Sequence, residues 1–154
     1  MTPLEVGRPA PDVELRDQHG AGFRLSEHRG RRAVAVLFYP YAFSGVCTGE
    51  LSAVQERIDE LVGATTALVA VSCDPVHSLR AFADRDGLTF PLLSDFWPHG
   101  DVARAFGVLD ESRGCPLRST FVVDPDGLVR WSVHSPAGQA RDLDDLVSAL
   151  CDRG

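Results

Sequence analysis

Four cysteines, Cys47, Cys73, Cys115 and Cys151, are the residues of this chain best suited to covalent chemistry. They stand 26, 42 and 36 positions apart, so no Cys-x-x-Cys occurs. That spacing disfavours a zinc ribbon and a dithiol exchange centre. The first thirty residues hold no apolar stretch with a basic flank, which predicts a reducing cytoplasm and free thiols rather than two disulfides. Cys47 stands out by its neighbours. It lies in Pro40-Tyr41-Ala42-Phe43-Ser44-Gly45-Val46-Cys47-Thr48-Gly49-Glu50, between an apolar run and a helical stripe. Ser44 is suited to cap that helix, which puts Cys47 in its first turn. Unpaired backbone N–H groups and the helix dipole favour a negative sulfur there. Thiolate is the nucleophilic form. Taken singly, Cys47 is a small core residue heading an apolar stripe. Pro, hydroxyl, thiol and acid together on one strand-to-helix turn favour reactivity.

The elements that must position this turn follow from periodicity. Val13 and Leu15 alternate with Phe23 and Leu25 around His19-Gly20-Ala21-Gly22, an N-terminal β-hairpin. Ala33 to Tyr39 is a continuous apolar run, a buried central strand ended by Pro40. Cys47, Leu51, Val54, Ile58 and Leu61 repeat at helical steps. Leu68 to Val71 is a second buried strand. Asp74-Pro75 opens a helix as cap and first-turn proline, with Val76, Leu79, Phe82 and Ala83 inward. Phe90 to Leu93 is a short strand, and Val102, Ala105 and Phe106 face inward from a short helix. Arg118 to Val123 and Leu128 to Val133 flank a turn at Asp124-Pro125-Asp126-Gly127. Leu143, Leu146, Val147 and Leu150 mark a C-terminal helix. Strands alternating with helices give an α/β fold, a mixed central sheet flanked by helices. Periodicity fits a thioredoxin-like and a flavodoxin-like fold equally. In either, the functional crevice lies at the carboxyl ends of the strands, where Pro40 to Glu50 falls.

Length and charge narrow the functions. The 154 residues fit one domain, residues 1–154. A net charge of −7 argues against nucleic acid and anionic membranes as partners. All 15 basic residues are arginine, and neither lysine nor asparagine occurs. That excludes a Schiff-base lysine, a P-loop and a Cys-His-Asn triad. The longest apolar run is too short to span a bilayer. Cys73 and His77 have no third ligand nearby, so no metal is expected, and no motif calls for a cofactor.

Pro40-x-x-x-Ser44-x-x-Cys47 resembles the signature of the peroxiredoxins, with serine in the position where threonine is commoner. Gly7-Arg8-Pro9-Ala10-Pro11-Asp12 is similar to the family's N-terminal entry, and Arg118-Ser119-Thr120-Phe121-Val122-Val123-Asp124 to its active-site arginine and following strand. Phe90 to Gly100, with Phe43 to Cys47, is most similar to the one-cysteine alkyl hydroperoxide reductase E subgroup. The resemblance implies a thioredoxin-like fold and a thiol-dependent peroxidase. Its substrates would be hydrogen peroxide, organic hydroperoxides or peroxynitrite. Cys47 would attack the peroxide and become a sulfenic acid. Arg118 would stabilise the thiolate and the charge on the leaving oxygen. The Ser44 hydroxyl would bond the peroxide, Pro40 would cap the pocket, and Glu50 would orient Arg118.

No second thiol follows Cys47 in its helix; Ser52 holds the candidate position. Cys73, ending a strand beside the central one, and Cys115, three residues before Arg118, are the candidates to resolve the sulfenic acid. The alternative is a packed strand-end thiol and a bystander. A one-cysteine cycle needs an external thiol, mycothiol with mycoredoxin or a thioredoxin. Phe96 and Trp97 are candidate anchors of a homodimer interface or a lid. The competing reading is a peroxide-sensing redox relay without significant turnover, using the same Cys47 chemistry. An inert thioredoxin-like interaction module is the third.

Overall fold

The computed structural model describes residues 2–136 and 139–151. The apolar run forms β3 (Ala33–Phe38), buried at every residue. The N-terminal hairpin is β1 (Glu14–Arg16) and β2 (Gly22–Arg24), pairing Leu15 with Phe23. Its turn is tied by Asp17, whose Oδ1 accepts from the backbone N–H groups of His19 and Ala21. The remaining strands are β4 (Thr66–Ser72), β5 (Leu92–Ser94), β6 (Leu109–Asp110), β7 (Cys115–Pro116), β8 (Ser119–Val123) and β9 (Val129–His134). Helices α1 (Gly45–Glu56), α2 (Ile58–Leu61), α3 (Val76–Asp86), α4 (Asp101–Ala105) and α5 (Leu143–Cys151) connect or close them. Seven strands form one mixed sheet in the order β2-β1-β5-β4-β3-β8-β9. β3 runs parallel to β4, and β4 to β5, while β8 returns antiparallel beside β3. This is the thioredoxin-like α/β architecture. No helix among the described residues is long and apolar enough to cross a membrane.

Alternation along β3 and β4 sorts two cores onto the two faces of the sheet. On one face, Ala35, Leu37, Leu68 and Ala70 meet Cys47, Leu51 and Val54 of α1, Leu79 and Phe82 of α3, and Leu146 and Leu150 of α5. On the other, Val34, Val36, Phe38, Val69 and Val71 meet Val13, Leu25, Val102, Ala103, Phe106 and Cys73.

Several details depart from the periodicity. The stripe from Cys47 to Leu61 is two helices, broken at Arg57 (φ −108°, ψ 19°). Steps of three and four satisfy both sides of the break. Pro75, not Asp74, is the cap of α3, with extended ψ of 157°. The Asp74 carboxylate instead accepts from the Ala42 N–H (2.9 Å) and the Ser72 hydroxyl (2.7 Å). β5 starts at Leu92 rather than Phe90. The Gln18 side chain bonds the Phe90 carbonyl and the Leu92 N–H, as a neighbouring strand would. In α4 it is Ala103, not Ala105, that faces the core. Cys115, outside every element that the periodicity marks, lies in the two-residue strand β7.

Candidate active site

Two elements bring the site together. β3 ends beside the start of α1, and antiparallel β8 starts beside the end of β3, pairing Phe38 with Ser119. Arg118, one residue before β8, therefore faces the first turn of α1. Ser44 holds the cap position of α1, but its hydroxyl makes no capping bond. It donates to the Tyr41 carbonyl at 3.1 Å, which leaves the oxygen lone pairs as acceptors. The first helical bond runs from the Thr48 N–H to the Ser44 carbonyl, so the N–H groups of Val46 and Cys47 precede the ladder and are free to bind an anion.

Cys47 is fully buried on the inner face of α1. One guanidinium nitrogen of Arg118 donates to its Sγ at 3.3 Å, and the other donates to Glu50 Oε1 at 2.6 Å. Glu50 follows Cys47 by three positions, so both lie on one face of the helix. The Arg118 Nε is buried and has no partner among the described residues. Burial works against the Arg118 charge, but the Cys47 sulfur and the Glu50 carboxylate outweigh it and raise its pKa.

A second buried arginine completes the network and escaped the sequence reading. Arg141 donates from Nη1 to Glu50 Oε1 (2.7 Å), from its backbone N–H to Glu50 Oε2 (2.8 Å), and from Nε to Thr120 Oγ1 (2.7 Å). Its remaining nitrogen reaches the Phe38 carbonyl. Burial lowers its pKa to about 10, still well above neutrality. One carboxylate thus holds two arginines and ties α1 to the segment before α5. Nothing in its polar surroundings, Gln139-Ala140-Arg141-Asp142, separates Arg141 from a solvated residue.

Residues 6–132 match the AhpC/TSA family. Alkyl hydroperoxide reductase E of Mycobacterium tuberculosis is 42% identical over 147 residues, 96% of each chain. A peroxiredoxin of Thermoplasma volcanium is 30% identical over 154 residues, covering 96% of this chain and 74% of that one. Peroxidoxin BcpB of M. tuberculosis superimposes with a TM-score of 0.84 at 33% identity, over 96% of both chains.

The chain belongs to the peroxiredoxin family. It is a thiol-dependent peroxidase.

In this peroxiredoxin the other thiols stand apart from Cys47. Cys73 packs in the core on the opposite face of the sheet, and burial pushes its thiol up to about 12. Cys115 is buried next to the Tyr41 hydroxyl, which also donates to the Arg113 carbonyl at 2.9 Å. Cys151 ends α5 and is exposed. No cluster of three metal-ligating side chains occurs among the described residues. Pro40 is half-buried between the end of β3 and the turn. Phe96 is 49% exposed and Trp97 81%.

Proposed function

We propose that Cys47 is the nucleophile of a peroxidase acting on hydrogen peroxide, organic hydroperoxides or peroxynitrite, with Arg118, Ser44, Pro40 and Glu50 completing its site. The reading rests on one observation: Arg118 spans from Glu50 to the Cys47 sulfur while its buried Nε keeps a donor free. The thiolate attacks the outer peroxide oxygen. The S–O bond forms as the O–O bond breaks, sulfur loses two electrons, and the leaving group departs as water or an alcohol after taking a proton, or as nitrite when the substrate is peroxynitrite. Arg118 and the N–H groups of Val46 and Cys47 stabilise the charge moving onto oxygen. The Ser44 lone pairs accept from the peroxide O–H. Pro40, which has no N–H, closes the turn without offering a competing donor.

The cycle is completed by an external thiol. It condenses with the sulfenic acid, losing water to form a mixed disulfide, and a second thiolate then cleaves that bond. Mycothiol with mycoredoxin, or a thioredoxin, fits this chemistry in the cytoplasm. Neither Cys73 nor Cys115 is needed, and the burial of both favours a one-cysteine cycle. The exposed Phe96 and Trp97 favour a homodimer.

Intact-mass measurement after one equivalent of peroxide tests this directly. The expected product is a gain of one oxygen that Cys47→Ser abolishes, with turnover on added thiol preserved in Cys73→Ser, Cys115→Ser and the double variant. A loss of two hydrogens and an internal bridge, removed by one of those substitutions, would make the cycle two-cysteine. Oxidation without turnover on any thiol would favour the sensing relay.

A further inference from the structure

Cys47 presents a conflict between the two halves of its cycle. Its side chain is wholly buried, which suits a small peroxide held by fixed donors. A thiol reductant must instead bring a second sulfur into bonding distance, and that requires the turn before α1 to move. Whatever holds this turn shut therefore sets the balance between the two steps.

The turn is under strain at one residue. Phe43 has φ +68°, the only non-glycine residue with positive φ among those described. A side chain in that region is disfavoured and persists only where contacts impose it. Phe43 is 44% exposed, so only one side of its ring is held by the interior. Its contacts come from α3. The Phe43 ring packs on Phe82 with centroids 5.1 Å apart, and the Arg85 guanidinium lies 4.8 Å from the Phe43 centroid. The same guanidinium donates to Thr48 Oγ1 at 3.1 Å. Arg85 thus touches the chain on both sides of Cys47, at Phe43 before it and Thr48 after it. The plane of the guanidinium is set by Asp86, whose carboxylate receives two of its N–H groups at 2.8 and 3.0 Å. Arg85 contacts neither Cys47 nor Arg118, and its side chain lies 47% open to water.

We propose that Arg85 is a positioning residue, a brace from α3 that holds the Cys47 turn closed for peroxide and whose release admits the reducing thiol. This rests on the reading of Cys47 as the nucleophile. A planar cation over an aromatic ring with one hydrogen bond is a modest tie. Losing it shifts the closed–open equilibrium by about tenfold. Because the closed form dominates, such a shift barely lowers its population but multiplies the open one. The two half-reactions should therefore respond in opposite directions or unequally.

The test measures both half-reactions in the full chain with Cys73, Cys115 and Cys151 replaced by serine. One rate is oxidation of Cys47 by hydrogen peroxide. The other is reduction of the oxidised protein by 2-mercaptoethanol. Arg85→Ala should raise the reduction rate by about tenfold and lower the oxidation rate less than twofold. Arg85→Lys keeps the cation but loses the fork, and Asp86→Asn frees the guanidinium; both should shift the split in the same direction by less. These two milder variants decide the matter if Arg85→Ala does not fold. Equal rates in every variant, or both rates falling together, would overturn the brace. If the background that keeps Cys47 as its single cysteine is not oxidised by peroxide while the wild type is, or if Cys47→Ser alone in the otherwise wild-type chain still consumes peroxide, the reading of the nucleophile fails instead, whatever Arg85 does.

Discussion

Arg118 bonds a carboxylate and a sulfur at once and keeps a third donor in reserve, an arrangement that depends on the planar guanidinium fork. Arg118→Met should slow Cys47 oxidation by about a hundredfold or more, the usual cost of removing a donor aimed at developing charge. Arg118→Lys should fall between, since an ammonium keeps the charge but not the paired reach. Rapid-mixing measurement of peroxide consumption checks both, and an unchanged rate in Arg118→Met would remove it from the site. Cys73 carries a different expectation. Burial holds its thiol at about 12 in the fold, above its value of about 9 in the unfolded chain. The folded state binds that proton more tightly, so the stabilisation is complete below pH 9 and is lost as pH rises towards 12. Wild-type stability should therefore fall more steeply over that window than stability of Cys73→Ala, by up to ~1.4 kcal/mol per pH unit. Urea unfolding at stepped pH reads the difference, and parallel slopes would contradict it. At this scale the candidate site was legible because Pro40, Ser44, Cys47 and Glu50 lie on one strand-to-helix turn. Arg141 was not, because only the return of the chain past Thr120 and Phe38 buries it.

Helix α1 carries both Cys47 and Glu50 inward, so it supplies the proposed nucleophile and the anchor of its electrostatic surroundings together. Glu50 is the only carboxylate bonded to Arg118 and Arg141 among the described residues, and all three side chains are buried. Glu50→Gln would leave two guanidinium groups without a counter-charge in a dry interior. Breaking such a network by removing one partner costs about 3–5 kcal/mol. Chemical denaturation should show a loss of that size together with slower peroxide oxidation, because Arg118 loses its tether. A variant as stable as wild type would mean that water reaches the arginines. Elements with long apolar periods, such as β3, α3 and α5, were readable in the sequence. Those made by a few residues were not. The two-residue strands β6 and β7 are too short to show alternation. Asp74 has the composition of a helix cap, yet a distant backbone N–H, that of Ala42, claims its carboxylate. Local propensity identifies what a residue is able to do, and tertiary neighbours select which of those roles it takes.

The molecule as a whole presents an acidic surface, net −7, interrupted by one strongly exposed aromatic. Trp97 lies 81% open to water, beside Phe96 and at the rim of a groove of about 490 Å³ that includes Leu15 and Val76. An aromatic side chain that large adds little to a monomer when left in water, and exposed clusters of this kind mark contact surfaces. The groove joins β1 and β5, at the end of the sheet away from the β8–β9 hairpin, so a second copy docking there need not touch Cys47, Ser44 or Arg118. Trp97→Glu would set a charge in the middle of the proposed homodimer contact, among residues that offer a single basic partner, Arg16. Sedimentation equilibrium should show the wild type as a dimer and Trp97→Glu displaced towards monomer by tenfold or more in dissociation constant, about 1.4 kcal/mol. Peroxide oxidation of Cys47 should persist in the variant, because Trp97 belongs to neither the Glu50 network nor the Phe43 turn. A variant that remains dimeric would move the interface elsewhere. The exposed Tyr41, Phe43, Val46 and Leu117 beside the Cys47 turn would then be the next surface to probe.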